Sequence, residues 1–433
     1  MKLATSVSAR ARASSITTIG SILVGAFIAV ASPAPAQAQE AVRPNDEAAL
    51  IQRYCAAGPA RAQAQSALAR GRAAVTSAGV LPNPSVSLEH NRSLTGPEDS
   101  ETIVGVGFPL GIGGRRFLLE EAAEERLTER SAHADAILLE GALSLRAALV
   151  RAVAEQRRLE LLKTHVASLE ALGATIRSLQ KGGESSQRDL LRHELELGLQ
   201  RSKLGLQSSA AVSARALLRA YLAADDIELS GLELDALAAS ATPEKPPTHP
   251  ELRSLAAATR ASEVEADAAN RRWVPDLDLF FGYRQVTALQ TDVGHGFTFR
   301  IAMPLTFLDF GQGDAAVADA DAASVRAEQA ALESRMQAER EVADAALAEL
   351  EPASPQANDA QLGIAKLLEQ TQQLYLADEA SMAELLDVTS LAQDSAQASV
   401  DQAERRALIR ISRMRAIGSL FDPELDRACK GAQ

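Results

Sequence analysis

Proline is missing from two long stretches of this chain: none occurs from Leu110 to Thr242 and none from Leu305 to Glu351, although the 433 residues contain 17. Proline lacks an amide proton and its ring clashes with the preceding helical turn, so its absence permits helices far longer than those of ordinary globular domains. The apolar content of 46% includes only 3% aromatic residues; alanine and leucine dominate, and both favour helix. Within the first gap, Leu138, Ala142, Leu145, Leu149, Ala152, Gln156 and Leu159 recur at alternating steps of four and three, placing one mostly apolar seam along a helix packed against others. The seam is interrupted by polar residues and drifts, which fits a bundle better than a two-stranded coiled coil. One helix over residues 115 to 180 would be about 99 Å long at ~1.5 Å per residue.

Each long helix is expected to end in a turn. The first turn reads "KGGESSQRDLL", Lys181 to Leu191, and the second "ADEASMAELL", Ala377 to Leu386. Ser186 precedes Asp189, and Ser381 precedes Glu384, by the three residues of a capping box, so a return helix starts at each. Gly182 and Gly183 let the first helix stop. Helical hairpins with tips at 182 to 185 and 377 to 380 follow. The turns also share an offset: Pro109 to Pro304, Ser186 to Ser381, Asp189 to Glu384 and Leu190 to Leu385 are each 195 residues apart, and Pro82 to Pro275 is 193. We read an internal duplication, with a first repeat over 39–240, a linker at 241–250 ("ATPEKPPTHP" from Ala241) and a second repeat over 251–433.

The aromatics lie mostly outside the helices: of 15, eight fall between Trp273 and Phe310. There Leu277, Leu279, Phe281 and Tyr283 alternate with Asp278 and Arg284, and Phe297, Phe299, Ile301 and Met303 alternate with Thr298, Arg300 and Ala302. A weaker copy pairs Val86 and Leu88 with Thr102, Val104, Val106 and Phe108. Strand pairs are therefore expected within 82–110 and 275–307, joined by the polar loops "SLTGPEDS" and "TALQTDVG". Alternation suits either a half-buried soluble hairpin or a transmembrane β-strand of ~9–11 residues. In the second case the apolar faces meet lipid, and Asp278, Arg284 and Arg300 face a water-filled lumen. Four strands cannot close a barrel, so the missing neighbours would come from other copies.

The N-terminus carries an address. Lys2, Arg10 and Arg12 precede an apolar stretch, Ile22 to Ala31, and Ala36-Gln37-Ala38 fits a cleavage site, so residues 1–38 read as a secretory signal. Its removal would take the formal charge from −13 to −16, a poor balance for binding nucleic acid. Cys55 and Cys429 stand near the two mature ends; in an oxidising compartment they either pair or remain two buried thiols. Histidines at 90, 133, 165, 193, 249 and 295 show no metal-ligand spacing, and "GIGGRR" lacks the Gly-Lys-Ser/Thr ending of a phosphate loop, so no catalytic residue, metal site or cofactor is assigned.

The strand entries "LPNPSVSLE" and "VPDLDLFFG", the exits "GFPLGIGGRR" and "AMPLTFLDFGQG", the "THPEL" opening of the second half and the turns "GESSQRDLL" and "DEASMAELL" together resemble the TolC-like outer membrane efflux protein family, with "LPNPSVSLE" and "GFPLGIGGRR" most similar to its heavy-metal (cobalt-zinc-cadmium) cation branch. The resemblance implies a mostly α fold of duplicated long hairpins with four strands per chain. It implies a homotrimer whose 12-stranded barrel continues into an α-helical periplasmic tunnel. It further implies an outer-membrane exit duct working with a periplasmic adaptor (membrane fusion protein) and an inner-membrane transporter of the RND or ABC type, with metal cations a candidate cargo. Gly182, Gly183, Glu184 and Ser185, with Asp378, Glu379, Ala380 and Ser381, then become the adaptor-docking and gating residues, and Asp378 and Glu379 an acidic ring. Two features depart from the pattern: Pro352 and Pro355 are expected to kink or break the second long helix, and Lys181 with its glycine pair stands where the other tip has acids. The alternative is a periplasmic coiled-coil adaptor or scaffold without a pore.

Overall fold

A computed structural model describes residues 47–94, 99–182, 186–222, 229, 231–239, 248–288, 292–377 and 379–430. The signal segment, most of the linker, Gly183, Glu184, Ser185 and Asp378 lie outside the described residues. Two short helices, α1 (Glu47–Ala57) and α2 (Pro59–Gly79), lead into strands β1 (Ser85–Arg92) and β2 (Ser100–Leu110). A 68-residue helix, α3 (Arg115–Gly182), and its 36-residue return, α4 (Gln187–Leu222), follow. The second half runs α5 (Pro250–Asn270), a 3-10 turn, β3 (Leu277–Ala288), β4 (Asp292–Ala302), the 65-residue α6 (Gln312–Leu376) and its return α7 (Met382–Ile417), also 36 residues. A final α8 (Pro423–Lys430) closes the chain.

Local chemistry sets these boundaries. Pro250 opens α5 at a position whose amide would have no partner, and the His249 ring accepts from Glu251 N–H at 3.2 Å. Ser381 caps α7 with a complete box: its hydroxyl accepts from Glu384 N–H at 3.2 Å and the Glu384 carboxylate accepts from Ser381 N–H at 2.8 Å. At the other tip Ser186 accepts from Asp189 N–H at 3.1 Å, while Asp189 accepts from the Ser186 hydroxyl. Gly311 precedes α6 with φ of 93°, and a Cβ there would stand 2.1 Å from the Ala269 carbonyl, so the junction admits only glycine. Replacing Ser381 by alanine is expected to lower stability by about 1 kcal/mol, the usual contribution of a cap. Urea denaturation followed by far-UV circular dichroism would show it.

Of the kink or break expected at Pro352 and Pro355, the break does not occur: α6 continues from Gln312 to Leu376 with both prolines inside it. Both prolines are exposed, as are Ala348 and Glu351, whose carbonyls lose their amide donors. Water can satisfy those carbonyls, and the packing of α6 on α5 and α7 holds the helix on either side.

The main core gathers Leu50, Ile51 and Tyr54 of α1, the α3 seam from Leu138 to Val153, Ile411 and Met414 of α7, and Leu425 of α8. Of the predicted seam, Leu138, Ala142, Leu145, Leu149, Ala152 and Leu159 are buried. Arg146, 2% exposed, pairs with Glu47 and donates to the Leu420 carbonyl at 3.3 Å, tying α3 to both ends of the chain. A smaller cluster of Leu169, Ile176, Met382 and Leu386 lies near the helical turns. In this lower bundle α4 packs on α3, α3 on α7 and α7 on α6, leaving α4 and α6 at the two flanks.

Candidate functional site

The four strands form one antiparallel sheet in the order β1-β2-β3-β4, so each half supplies a hairpin and the halves join through β2 and β3. The register sorts every side chain to one of two faces. Val86, Val106, Phe281 and Phe299 stand in one row, and Leu88, Val104, Tyr283 and Phe297 in the next. Phe108, Leu279 and Ile301 continue the same face. No described residue outside the sheet covers this face along its middle: Val86 is 78% exposed and Phe297 76%. Phe297 stacks on Phe281 at 5.8 Å and meets the Tyr283 ring edge-on at 6.1 Å. Towards the loops the face turns polar, with His90 and Thr102 hydrogen-bonded at 2.9 Å and Tyr283 bonded to His295.

The opposite face carries Asp278, Arg284 and Arg300 together, with Ser85, Ser87, Glu89, Glu101 and Thr298. Arg284 pairs with Glu101, and Arg300 lies 3.7 Å from Glu89. One aromatic breaks the pattern. Phe280 lies on this polar face over Gly105 and Gly282, where a Cβ would stand 2.3 Å and 2.9 Å from its ring, and the Arg300 guanidinium sits 5.1 Å above it. Alternation already set Glu89 on the face opposite Val86 and Leu88, but it missed Phe280, because the glycine gap that admits the ring appears only when β2 and β3 are in register. β1 and β4 are paired on one side only, so both edges of the sheet are open among the described residues.

At the helical turns Gly182 is the last residue of α3, and Glu379, Ala380 and Ser381 link α6 to α7. Glu379 N–H and Ala380 N–H both donate to the Leu374 carbonyl, at 2.9 and 3.2 Å. The hydrogen bond from Ser381 N–H holds the Glu384 carboxyl below its usual range. Between α3 and α4, His193 is 1% exposed beside the Leu169 backbone of α3, and a Cβ at Gly173 would stand 2.6 Å from its Nε2. Burial pulls His193 and His165 below the ordinary imidazole range. The Leu169 backbone first, then Glu194 and Glu196, oppose this at His193 while Arg177 adds to it; Glu196 and Asp394 oppose it at His165 while Lys203 adds to it. A depressed imidazole contributes nothing above the unfolded value of ~6.5 and destabilises the fold as pH falls below it. The urea midpoint is therefore expected to fall on acidification from about pH 7 to about pH 5, and His193→Gln to flatten that fall.

Cys55 of α1 and Cys429 of α8 are joined by a disulfide, their Cα atoms 4.9 Å apart across 374 residues of sequence. No group of histidine, cysteine and carboxylate side chains suited to a metal ion occurs among the described residues, and no described helix is long and apolar enough to cross a membrane.

Two very long helical hairpins attached to a small four-stranded sheet define the TolC-like fold. Solved structures with this fold include CusC, from work on transmembrane channel formation, at 16% identity and a TM-score of 0.72, covering 87% of this chain and 93% of that one. The outer membrane protein VceC of Vibrio cholerae matches at 13% identity and a TM-score of 0.67, covering 87% and 97%. The MtrE outer membrane channel of Neisseria gonorrhoeae, in its open state, matches at 17% identity and 0.70, covering 87% and 89%. No family model and no curated protein sequence matches the chain.

Proposed function

We propose that this chain is an outer-membrane exit duct of a tripartite efflux pump, a passive channel built by three copies. The observation that carries the proposal is the sheet: one face is apolar and exposed, the other polar, and both edges are open. An apolar face of this kind is at rest against lipid, but open edges are not tolerated there. Joining β4 of one copy to β1 of the next satisfies both requirements, and three copies give twelve strands around a wet lumen lined by Asp278, Arg284 and Arg300.

The helices support the same closure. On α4, Leu191, Leu195, Leu199, Leu206 and Leu217 are exposed and fall on one stripe at 100° per residue. On α6, Val317, Val342, Leu367 and Leu374 do the same. The α4 flank carries six basic and three acidic residues and the α6 flank four basic and twelve acidic, so the flanks attract when α4 of one copy meets α6 of the next. First-repeat elements thus occupy one side of both sheet and bundle, and second-repeat elements the other.

In this reading the turns point into the periplasm. Gly182 to Ser185 and Asp378 to Ser381 dock an adaptor that leads to an inner-membrane transporter, and Asp378 and Glu379 form the acidic ring at the constriction. Metal cations are the cargo that this ring and the branch resemblance favour. Residues 1–38 direct export and are removed, and the two halves descend from one duplicated unit. The test is fractionation followed by recording. The chain is expected to stay in urea-washed outer membranes, to purify as a detergent-dependent trimer and to conduct in planar bilayers. Release by urea as a detergent-free monomer would instead identify a scaffold.

A further inference from the structure

Glu89 and Arg300 lie 3.7 Å apart although they belong to β1 and β4, the opposite edges of the sheet. Three interstrand steps separate those edges, about 14 Å at ~4.8 Å a step. The two residues are also out of level: Glu89 shares a row with Ile103, Arg284 and Gly296, whereas Arg300 shares one with Phe280, Gly107 and Ser85. Across a flat sheet an arginine and a glutamate could not meet over that diagonal. They meet because the sheet curls towards its polar face, where Ile103, Gly105 and Gly282 are buried under the Phe280 ring and the charged side chains. The Arg300 guanidinium crosses the hollow above that ring.

The same two residues stand on the two strands whose outer edges are open. In a closed barrel of three copies, β4 of one copy and β1 of the next are adjacent strands. Arg300 then faces the same lumen as the neighbour's copy of Glu89, with one interstrand step between their strands instead of three. A wider barrel also needs a gentler curve than a four-strand sheet folded over its own hollow, since diameter grows with strand number. One arrangement must give way to the other. We infer that the Glu89–Arg300 bridge is exchanged on assembly: it spans the sheet within a single chain and re-forms across each seam between copies. The inference rests on the closed-barrel reading above. Both side chains are about half exposed in the single chain, at 50% and 53%, so the bridge there contributes little and the exchange meets little resistance. Its consequence is selectivity, because like charges brought together at a seam disfavour that pairing. In the separate chain the bridge also keeps the two charges occupied and the open edges drawn inward.

The experiment uses two differently tagged full-length chains, Glu89→Arg and Arg300→Glu. Each expressed alone puts like charges at every seam and is expected to yield several-fold less trimer than the wild type. Expressed together they place opposite charges at two of three seams in every mixed trimer, and trimer carrying both tags is expected to recover, although one of the two partner chains still has two arginines and the other two glutamates. A Glu89→Cys chain treated with a flexible bismaleimide beside a separately tagged Arg300→Cys chain is expected to give a crosslinked band carrying both tags. Single reversals that assemble like the wild type, or rescue only when both reversals are in one chain, would overturn the exchange while leaving the barrel intact. A wild-type chain that stays monomeric in detergent overturns the exchange and the closed-barrel reading together.

Discussion

In the proposed duct, lysine in place of Phe281 is expected to strip the chain from the outer membrane, while lysine in place of Thr298 on the adjacent strand leaves it there. The two positions lie one row apart on adjacent strands and on opposite faces of the sheet. Phe281 stands in the row of Val86, Val106 and Phe299, 56% exposed and stacked on Phe297, at the middle of the apolar face. Thr298 stands opposite Gly282 on the polar face. A lysine near the bilayer midplane of a β-barrel costs about 2–4 kcal/mol, and a trimer would bear it three times, whereas a lysine towards a wet lumen costs little. Urea washing of outer-membrane fractions, with the variant quantified in pellet and supernatant, separates the two results. Equal retention of both variants would mean that the aromatic face is not the lipid face.

The second large effect concerns the disulfide. Replacing Cys429 by serine is expected to lower the urea midpoint markedly, with a loss of about 5 kcal/mol as the upper end for a crosslink closing a loop of this size. The bond spans 374 residues, so it constrains nearly the whole unfolded chain. Both sulfurs are buried, Cys55 wholly and Cys429 at 4% exposed, within the core that also holds Leu50, Ile51 and Leu425. Without the bond, α1 and α8 keep their apolar contacts but can fray independently. Intact mass with and without reductant reports the bond directly, and denaturation in each condition reports its effect. An unchanged midpoint in reductant would show that apolar packing alone holds the two ends.

The long helices were legible because they depend on local rules. Missing prolines allow length, the four-three spacing from Leu138 to Leu159 names the buried side, and Ser381 with Glu384 marks a start that backbone geometry then satisfies. The strand faces were legible for the same reason: with a period of two, Phe281 and Arg284 must point in opposite directions once the strand exists. At Pro352 and Pro355 a break was one expected outcome because the cost is local, but exposure and packing on α5 and α7 let α6 continue through it. The candidate site was only half visible. Arg284 and Arg300 stood out as charges among aromatics, but their partners Glu101 and Glu89 lie far off in sequence, and no spacing announces the hollow that Phe280 fills.

By itself, then, the sequence determined the elements, their order and the two unlike faces of each strand, since propensity, capping and periodicity act over a few residues. Tertiary structure alone decided that β2 meets β3, that Cys55 meets Cys429, that α4 and α6 take opposite flanks, and that Glu89 reaches Arg300 across the curled sheet. Those outcomes depend on which distant surfaces bury or pair with one another, and that is settled only when the whole chain has packed.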